Sequence, residues 1–209
     1  MSTPERAKIR VSGEPKLDFP VTFSGSTLLG SLGALHFLIE KRGERDIILD
    51  FSKCKHVLES GMLPLIPIIN KHVAKRRVKF QLRLPKDEKI QAQFSKCNWA
   101  HLIDPTHYVY DESATSTHCP ALRYRNAEEQ SACVDKILSV VMKSAPLTRD
   151  VLKAIEWSLN EITDNVLNHS GATAGYVQAT WFRENQVIEF VVADAGIGIP
   201  ASLKQTTIA

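Results

Sequence analysis

The sequence predicts an α/β protein built as two α+β sandwiches in tandem, and three stretches carry that expectation. Over residues 18–104 apolar strand-like runs alternate with helix-length segments. Over residues 147–200 a long amphipathic run is followed by two β-like runs and a glycine-containing string. Between them, Asp111-Glu-Ser-Ala-Thr-Ser-Thr-His-Cys-Pro120 is small, polar and aperiodic. Alternating strands and helices argue for mixed layers around a sheet, and an aperiodic polar stretch argues for a linker. The expected division is a first domain over 1–104, a linker over 105–125 and a second domain over 126–209. At 209 residues the chain is long enough for each half to bury its own core.

In the first half, Lys8-Ile-Arg-Val11 reads as a short edge strand and Asp18-Phe-Pro-Val-Thr-Phe23 as a second, interrupted by Pro20. Ser24-Gly-Ser-Thr27 offers turn and N-cap chemistry for a helix through Lys41, with Leu28, Leu29, Leu32, Leu35, Leu38 and Ile39 near a 3.6-residue period and Gly43 ending it. Asp46-Ile-Ile-Leu-Asp50-Phe51 is an apolar run between charged ends, the pattern of a buried parallel strand. Ser60-Gly61 opens the next apolar segment. There Pro67 would remove a hydrogen bond from a helix begun at Ser60, so the expected helix starts late. Val78-Lys-Phe-Gln-Leu-Arg-Leu84 alternates as a strand, Pro85 stops it, and a helical segment over 86–97 follows.

The second half opens with a helical pattern over 126–143, on which Ala127, Val134, Ile137, Leu138, Val141 and Met142 share a face. Thr148 is the expected N-cap of a helix reaching His169, closed by Ser170-Gly171, with Leu152, Ile155, Leu159, Ile162 and Val166 turned to a sheet. Tyr176-Val-Gln-Ala-Thr-Trp-Phe182 and Val187-Ile-Glu-Phe-Val-Val-Ala193 read as a hairpin joined through Arg183-Glu-Asn-Gln186.

Composition narrows the function classes. A net charge of +3 is too small to imply a nucleic-acid partner, and the basic run Lys71-His-Val-Ala-Lys75-Arg76-Arg77-Val-Lys79 suits the C-terminal end of a helix. Cys54, Cys97, Cys119 and Cys133 lack metal-ligand spacing and read as reduced thiols of a cytoplasmic protein; adjacent His118 and Cys119 read as loop residues. The polar N-terminus has no signal-peptide core, and no apolar run reaches spanning length, so no membrane partner is expected. His56, His72, His101 and His107 lack the acidic-flanked helical setting of a phospho-accepting histidine.

The chemistry concentrates in two strings. Glu161-Ile-Thr-Asp-Asn165-Val-Leu-Asn168-His169-Ser170 places Glu161 and Asn165 four apart on one helix face, with Asn168 and His169 one turn on. Asp194-Ala-Gly196-Ile-Gly198-Ile-Pro200 follows a strand and places a carboxylate beside two permissive glycines. A Rossmann loop is the competing reading. It lacks the third glycine, Pro200 opposes a helix there, and the acidic partner would fall beyond the chain.

In this order the two strings resemble the N box and first glycine box of the GHKL superfamily, which includes histidine kinases, gyrase-type topoisomerases and anti-sigma kinases. The resemblance implies an ATP- and Mg²⁺-binding α/β sandwich of the Bergerat type. It makes Asn165 the Mg²⁺ ligand, Glu161 the water-activating base, and Asn168 and His169 neighbours of phosphate. Asp194 becomes the acceptor for the adenine amine, with Gly196 and Gly198 admitting the base. Asn168 stands where histidine kinases usually carry lysine, and His169 reads equally well as a cation suiting a helix C-terminus. In that family a lid, a second glycine box and further strands follow. Here only residues 201–209 do, so weak ATP binding and poor turnover are expected of this chain.

Residues 18–104 resemble the STAS domains of anti-sigma-factor antagonists, through Ile47-Ile-Leu-Asp50-Phe51 and the loop Leu58-Glu59-Ser60-Gly61. This resemblance implies a protein partner for the first half and makes Ser60 a phosphorylatable serine. Leu58 and Glu59 depart from the family's Asp-Ser, and Ser60 reads from the residues alone as a helix N-cap.

Overall fold

The computed structural model describes residues 14–111, 113–115, 117–144 and 147–198. The protein is mixed α/β and divides into two compact units between Asp111 and Glu112. The strand expected at 8–11 and the prolines at 146 and 200 lie outside the described residues.

The first unit runs β1 (Lys16–Asp18), β2 (Thr22–Phe23), α1 (Gly25–His36), β3 (Asp46–Asp50), β4 (His56–Val57), α2 (Glu59–Arg76), β5 (Lys79–Arg83), α3 (Glu88–Lys96) and α4 (Trp99–Ile103). A parallel sheet has the order β1-β3-β5, and β2 pairs in parallel with β4. The central place belongs to β3, which explains why Ile47, Ile48 and Leu49 are all buried in one uninterrupted run. The single interrupted strand expected over 18–23 is instead two strands in two sheets, parted at Pro20, which has no N–H for a ladder.

Two helices depart from expectation. The run after α1 continues as a π-helical turn, Phe37–Lys41, in which Arg42 N–H reaches Phe37 O at 3.1 Å; Gly43 then turns the chain at φ 71°. Leu29, expected on its buried face, is 79% exposed. Helix α2 does not start late: it begins at Glu59 with Leu58 as N-cap and continues through Pro64 and Pro67. The two prolines cost about 3 kcal/mol each. Met62, Leu63, Leu65, Ile66 and Ile69 are all fully buried, at about 1.5–3 kcal/mol each, and their burial outweighs that cost.

A chain of rings fills the core of this unit. Phe19 stacks on Phe51 at 3.8 Å, Phe23 and Phe94 meet Phe51 edge-on, and Trp99 closes on Phe94. At the end of β3, Asp50 is buried but paired with Arg83 at 2.8 Å and Lys16 at 3.3 Å. Buried Asn98, at φ 61°, exchanges two hydrogen bonds with the Asp111 backbone and ties down the end of the unit.

The second unit runs β6 (His118–Tyr124), α5 (Ala127–Ser144), α6 (Arg149–His169), β7 (Gly175–Phe182) and β8 (Val187–Ala193), with an antiparallel sheet in the order β6-β7-β8. Residues 118–124, read above as linker with His118 and Cys119 in a loop, are therefore a strand. Its proline disguised it. The register shifts between Cys119 and Leu122, so Pro120 sits in a bulge of an edge strand, where a missing N–H is tolerated. Helix α5 packs on β6, β7 and α6, and α6 on β7 and β8. Among the described residues no helix is long and apolar enough to cross a membrane.

Candidate functional site

The site is built where the C-terminal end of α6 meets the loop after β8. Thr148 caps α6, its hydroxyl accepting from Val151 N–H at 3.4 Å. The helix buries Leu159, Thr163 and Val166, which with Ser170 recur at spacings of four, three and four. Ile162, expected against the sheet, is 48% exposed; Thr163 takes the inward place. Threonine supplies volume and a hydroxyl that can bond within its own helix, a choice that hydrophobic periodicity does not register.

Strand β8 ends at Ala193 and delivers Asp194, whose Oδ1 accepts from Gly196 N–H at 2.6 Å. Ile197 N–H then donates to the carbonyl of Ser170 at 2.8 Å. A Cβ on Gly196 would overlap that same carbonyl, so the loop lies on the helix end as only glycine allows. Gly198 takes φ 76°, a conformation that also favours glycine. Ser170 is held from both sides: its hydroxyl donates to Val166 O at 2.6 Å and accepts from Ala172 N–H at 2.9 Å.

Of the residues singled out in the sequence, Glu161, Asn165, Asn168 and His169 are exposed on the last turns of α6, while Asp194 and Gly196 are half-buried and Gly198 is exposed in the facing loop. Asn168 Nδ2 donates to Asp164 Oδ2 at 2.7 Å, which engages one of its amide hydrogens within its own helix. Among the described residues no three His, Cys, Asp or Glu side chains form a metal-holding group.

Ser60 belongs to the other unit and is not the N-cap of α2. It is the second residue of that helix, and its Oγ accepts from Gly25 N–H, in the first turn of α1, at 3.3 Å. The two helix N-termini touch because position 61 is glycine, where a Cβ would stand 2.9 Å from the Ser24 backbone. Cross-helix capping of this kind leaves no periodicity in the sequence.

No protein-family model, curated protein or solved structure matches the chain.

Sequence reasoning missed the layer beneath the site. Thr163, Gln130 of α5 and Tyr124 of β6 form a buried polar cluster, with the Gln130 amide donating to Thr163 Oγ1 at 2.8 Å and the Tyr124 hydroxyl to Thr163 O at 3.2 Å. Burial pushes the Tyr124 phenol up, with Cys133 and the Asp194 carboxylate adding to the effect, so Tyr124 lies within electrostatic reach of the loop. The one available signal was position 175, where glycine opens a strand opposite Tyr124: a Cβ there would overlap the tyrosine ring.

Proposed function

We propose that this chain is an adenine-nucleotide-binding regulatory protein, with a GHKL-like unit for ATP and Mg²⁺ over its second half and a STAS-like unit for a protein partner over its first. The observation that carries the reading is the docking of the Asp194 loop on the end of α6, through Ile197 N–H to Ser170 O at 2.8 Å and the close approach at Gly196. It brings the end of one motif string, Ser170, against the other, 24 or more residues on in the chain.

Within that reading each residue has a task. Asp194 gives one oxygen to Gly196 N–H and offers the other to an exocyclic amine, a job for an acceptor-only group. Gly196 lets the loop lie on α6, where a Cβ would meet the Ser170 carbonyl, and Gly198 at φ 76° leaves room for the base. Asn165 would hold Mg²⁺ by its amide oxygen, and the ion would neutralise charge on the phosphates. Glu161, one turn earlier and exposed, would orient or deprotonate water. Asn168 and His169 line the helix end beside the phosphates.

Titrating the ¹⁵N-labelled 209-residue chain with ATP and Mg²⁺ tests the reading and detects even weak binding. Shifts at Gly196, Gly198 and Asn165, stronger for adenine than guanine nucleotides and lost in Asp194→Asn, are expected. Equal shifts in Asp194→Asn, or none in the wild type, would overturn it. Should the chain hydrolyse ATP, Glu161→Ala is expected to abolish turnover and spare binding.

A second reading is a non-catalytic module whose first half binds a partner regardless of nucleotide. It is favoured by exposed Val21, Leu29 and Leu58 on the segments that lead into or form the paired N-termini of α1 and α2. A partner retained without ATP and released by Leu58→Glu would support it.

A further inference from the structure

We infer that Thr163 is a positioning residue for this site: with Gln130 and Tyr124 it locks the rotation of α6, so that Asn165 and the Asp194 loop keep one mutual geometry and nucleotide affinity depends on the lock. The inference takes its ligand from the nucleotide reading above and its mechanism from the geometry.

Thr163 is fully buried, two residues before Asn165. Its Oγ1 donates to Leu159 O at 2.7 Å and accepts from Gln130 Nε2 at 2.8 Å, while its carbonyl accepts from the Tyr124 hydroxyl at 3.2 Å. Gln130 also reaches Asn160 O at 3.3 Å. One turn of α6 is thereby bonded to α5 and to β6. The absence of a side chain at Gly175 makes room in β7 for the tyrosine ring.

The position of this cluster gives it leverage. Ser170, which receives the loop, is seven residues from Thr163, close to two turns along the same face. Apolar contacts alone let a helix roll, whereas hydrogen bonds are directional. A side-chain head about 6 Å from the axis moves about 2 Å when a helix rolls by about 20°. Misplacement of about 1 Å is enough to cost up to about a hundredfold in rate where groups must be aligned to react, and directional contacts to a bound ligand weaken with the same loss of alignment. A roll of that size would shift Asn165 relative to the loop and draw Ser170 O off Ile197 N–H.

The test uses the 209-residue chain with Thr163→Val, which keeps the shape and removes the hydroxyl, and Thr163→Ser, which keeps the hydroxyl. Three quantities are read: Kd for a fluorescent ATP analogue with Mg²⁺, amide exchange at Ile197, and the thermal midpoint. Thr163→Val is expected to raise Kd by about fivefold or more and to speed Ile197 exchange by about tenfold, while Thr163→Ser stays near wild type on both. If Thr163→Val leaves both within about twofold, or Thr163→Ser fails as valine does, the lock is refuted. Should Thr163→Val not fold, Tyr124→Phe carries the same test through Ile197 exchange, and wild-type exchange in that variant refutes the lock. If the wild type binds no adenine nucleotide, the nucleotide reading falls, and Ile197 exchange alone decides whether the lock holds the loop.

Discussion

Single residues in this protein matter most where backbone meets backbone or a charge is buried. Gly196→Ala would drive a Cβ into the Ser170 carbonyl at the C-cap of α6, so the loop or the helix end must give way. It is expected to undock the loop, to destabilise the second unit by about 1–3 kcal/mol, and to remove nucleotide-induced shifts; thermal melting and the ATP titration check it. Asp50 sets an acid limit. Burial pushes its carboxyl up, but hydrogen bonds from Ser52 and the cations Arg83 and Lys16 win and hold it at about 2, below the ordinary 3.8. A carboxyl with a depressed folded value adds stability above its unfolded value and loses it as protons bind. At most about 2 kcal/mol should therefore disappear as pH falls from about 4 through about 2. Urea titrations across that range should show the loss, and Asp50→Asn should flatten it at the cost of stability near neutral pH. His118 acts in a higher window. Burial lowers its imidazole below the ordinary 6.5, and its Nδ1 lies 3.2 Å from Thr180 Oγ1. The folded protein therefore binds fewer protons there than the unfolded chain. Stability should decline as pH drops below about 6.5, a slope that His118→Gln reduces in the same titration, the remainder falling to His72, whose imidazole burial also lowers.

Among the elements, α6 separates pattern from packing. Leu159 and Ile162 both fit the apolar stripe read from the sequence, yet one is 2% exposed and the other 48%. Leu159→Ala is expected to cost about 2–5 kcal/mol, while Ile162→Glu should stay within about 0.5 kcal/mol; chemical denaturation of the two variants side by side decides. Helix caps follow sequence chemistry better. Asp87 caps α3 by accepting from Lys89 and Ile90 N–H, and Thr148 caps α6 as its side chain suggests. Ser60 shows the limit of such reasoning, because a good capping residue was taken up by a neighbouring helix. Strand β6 shows another, since Pro120 and a polar lead-in look like a loop until a partner strand absorbs the bulge.

At the scale of the whole molecule, the chain has two cores, one built on the rings from Phe19 to Trp99 and one on the sheet β6-β7-β8 under α5 and α6. Phe51→Ala is expected to raise amide exchange in β3 and β5, and Trp181→Ala in β6 and β8, as exchange mapped by mass spectrometry would show. What the sequence by itself determined was the local part. The mixed α/β class, the buried parallel strand at β3, the long helix carrying Glu161 and Asn165, and the hairpin that ends at Asp194 all follow from apolar period, caps and turns acting over a few residues. The return of the Asp194 loop onto Ser170, the capping of α1 by Ser60, the inward Thr163 and the strand hidden at 118–124 were decided by tertiary structure. Each depends on a group distant in sequence taking up a hydrogen bond or leaving room for a ring, and no periodicity along one segment encodes which distant group that will be.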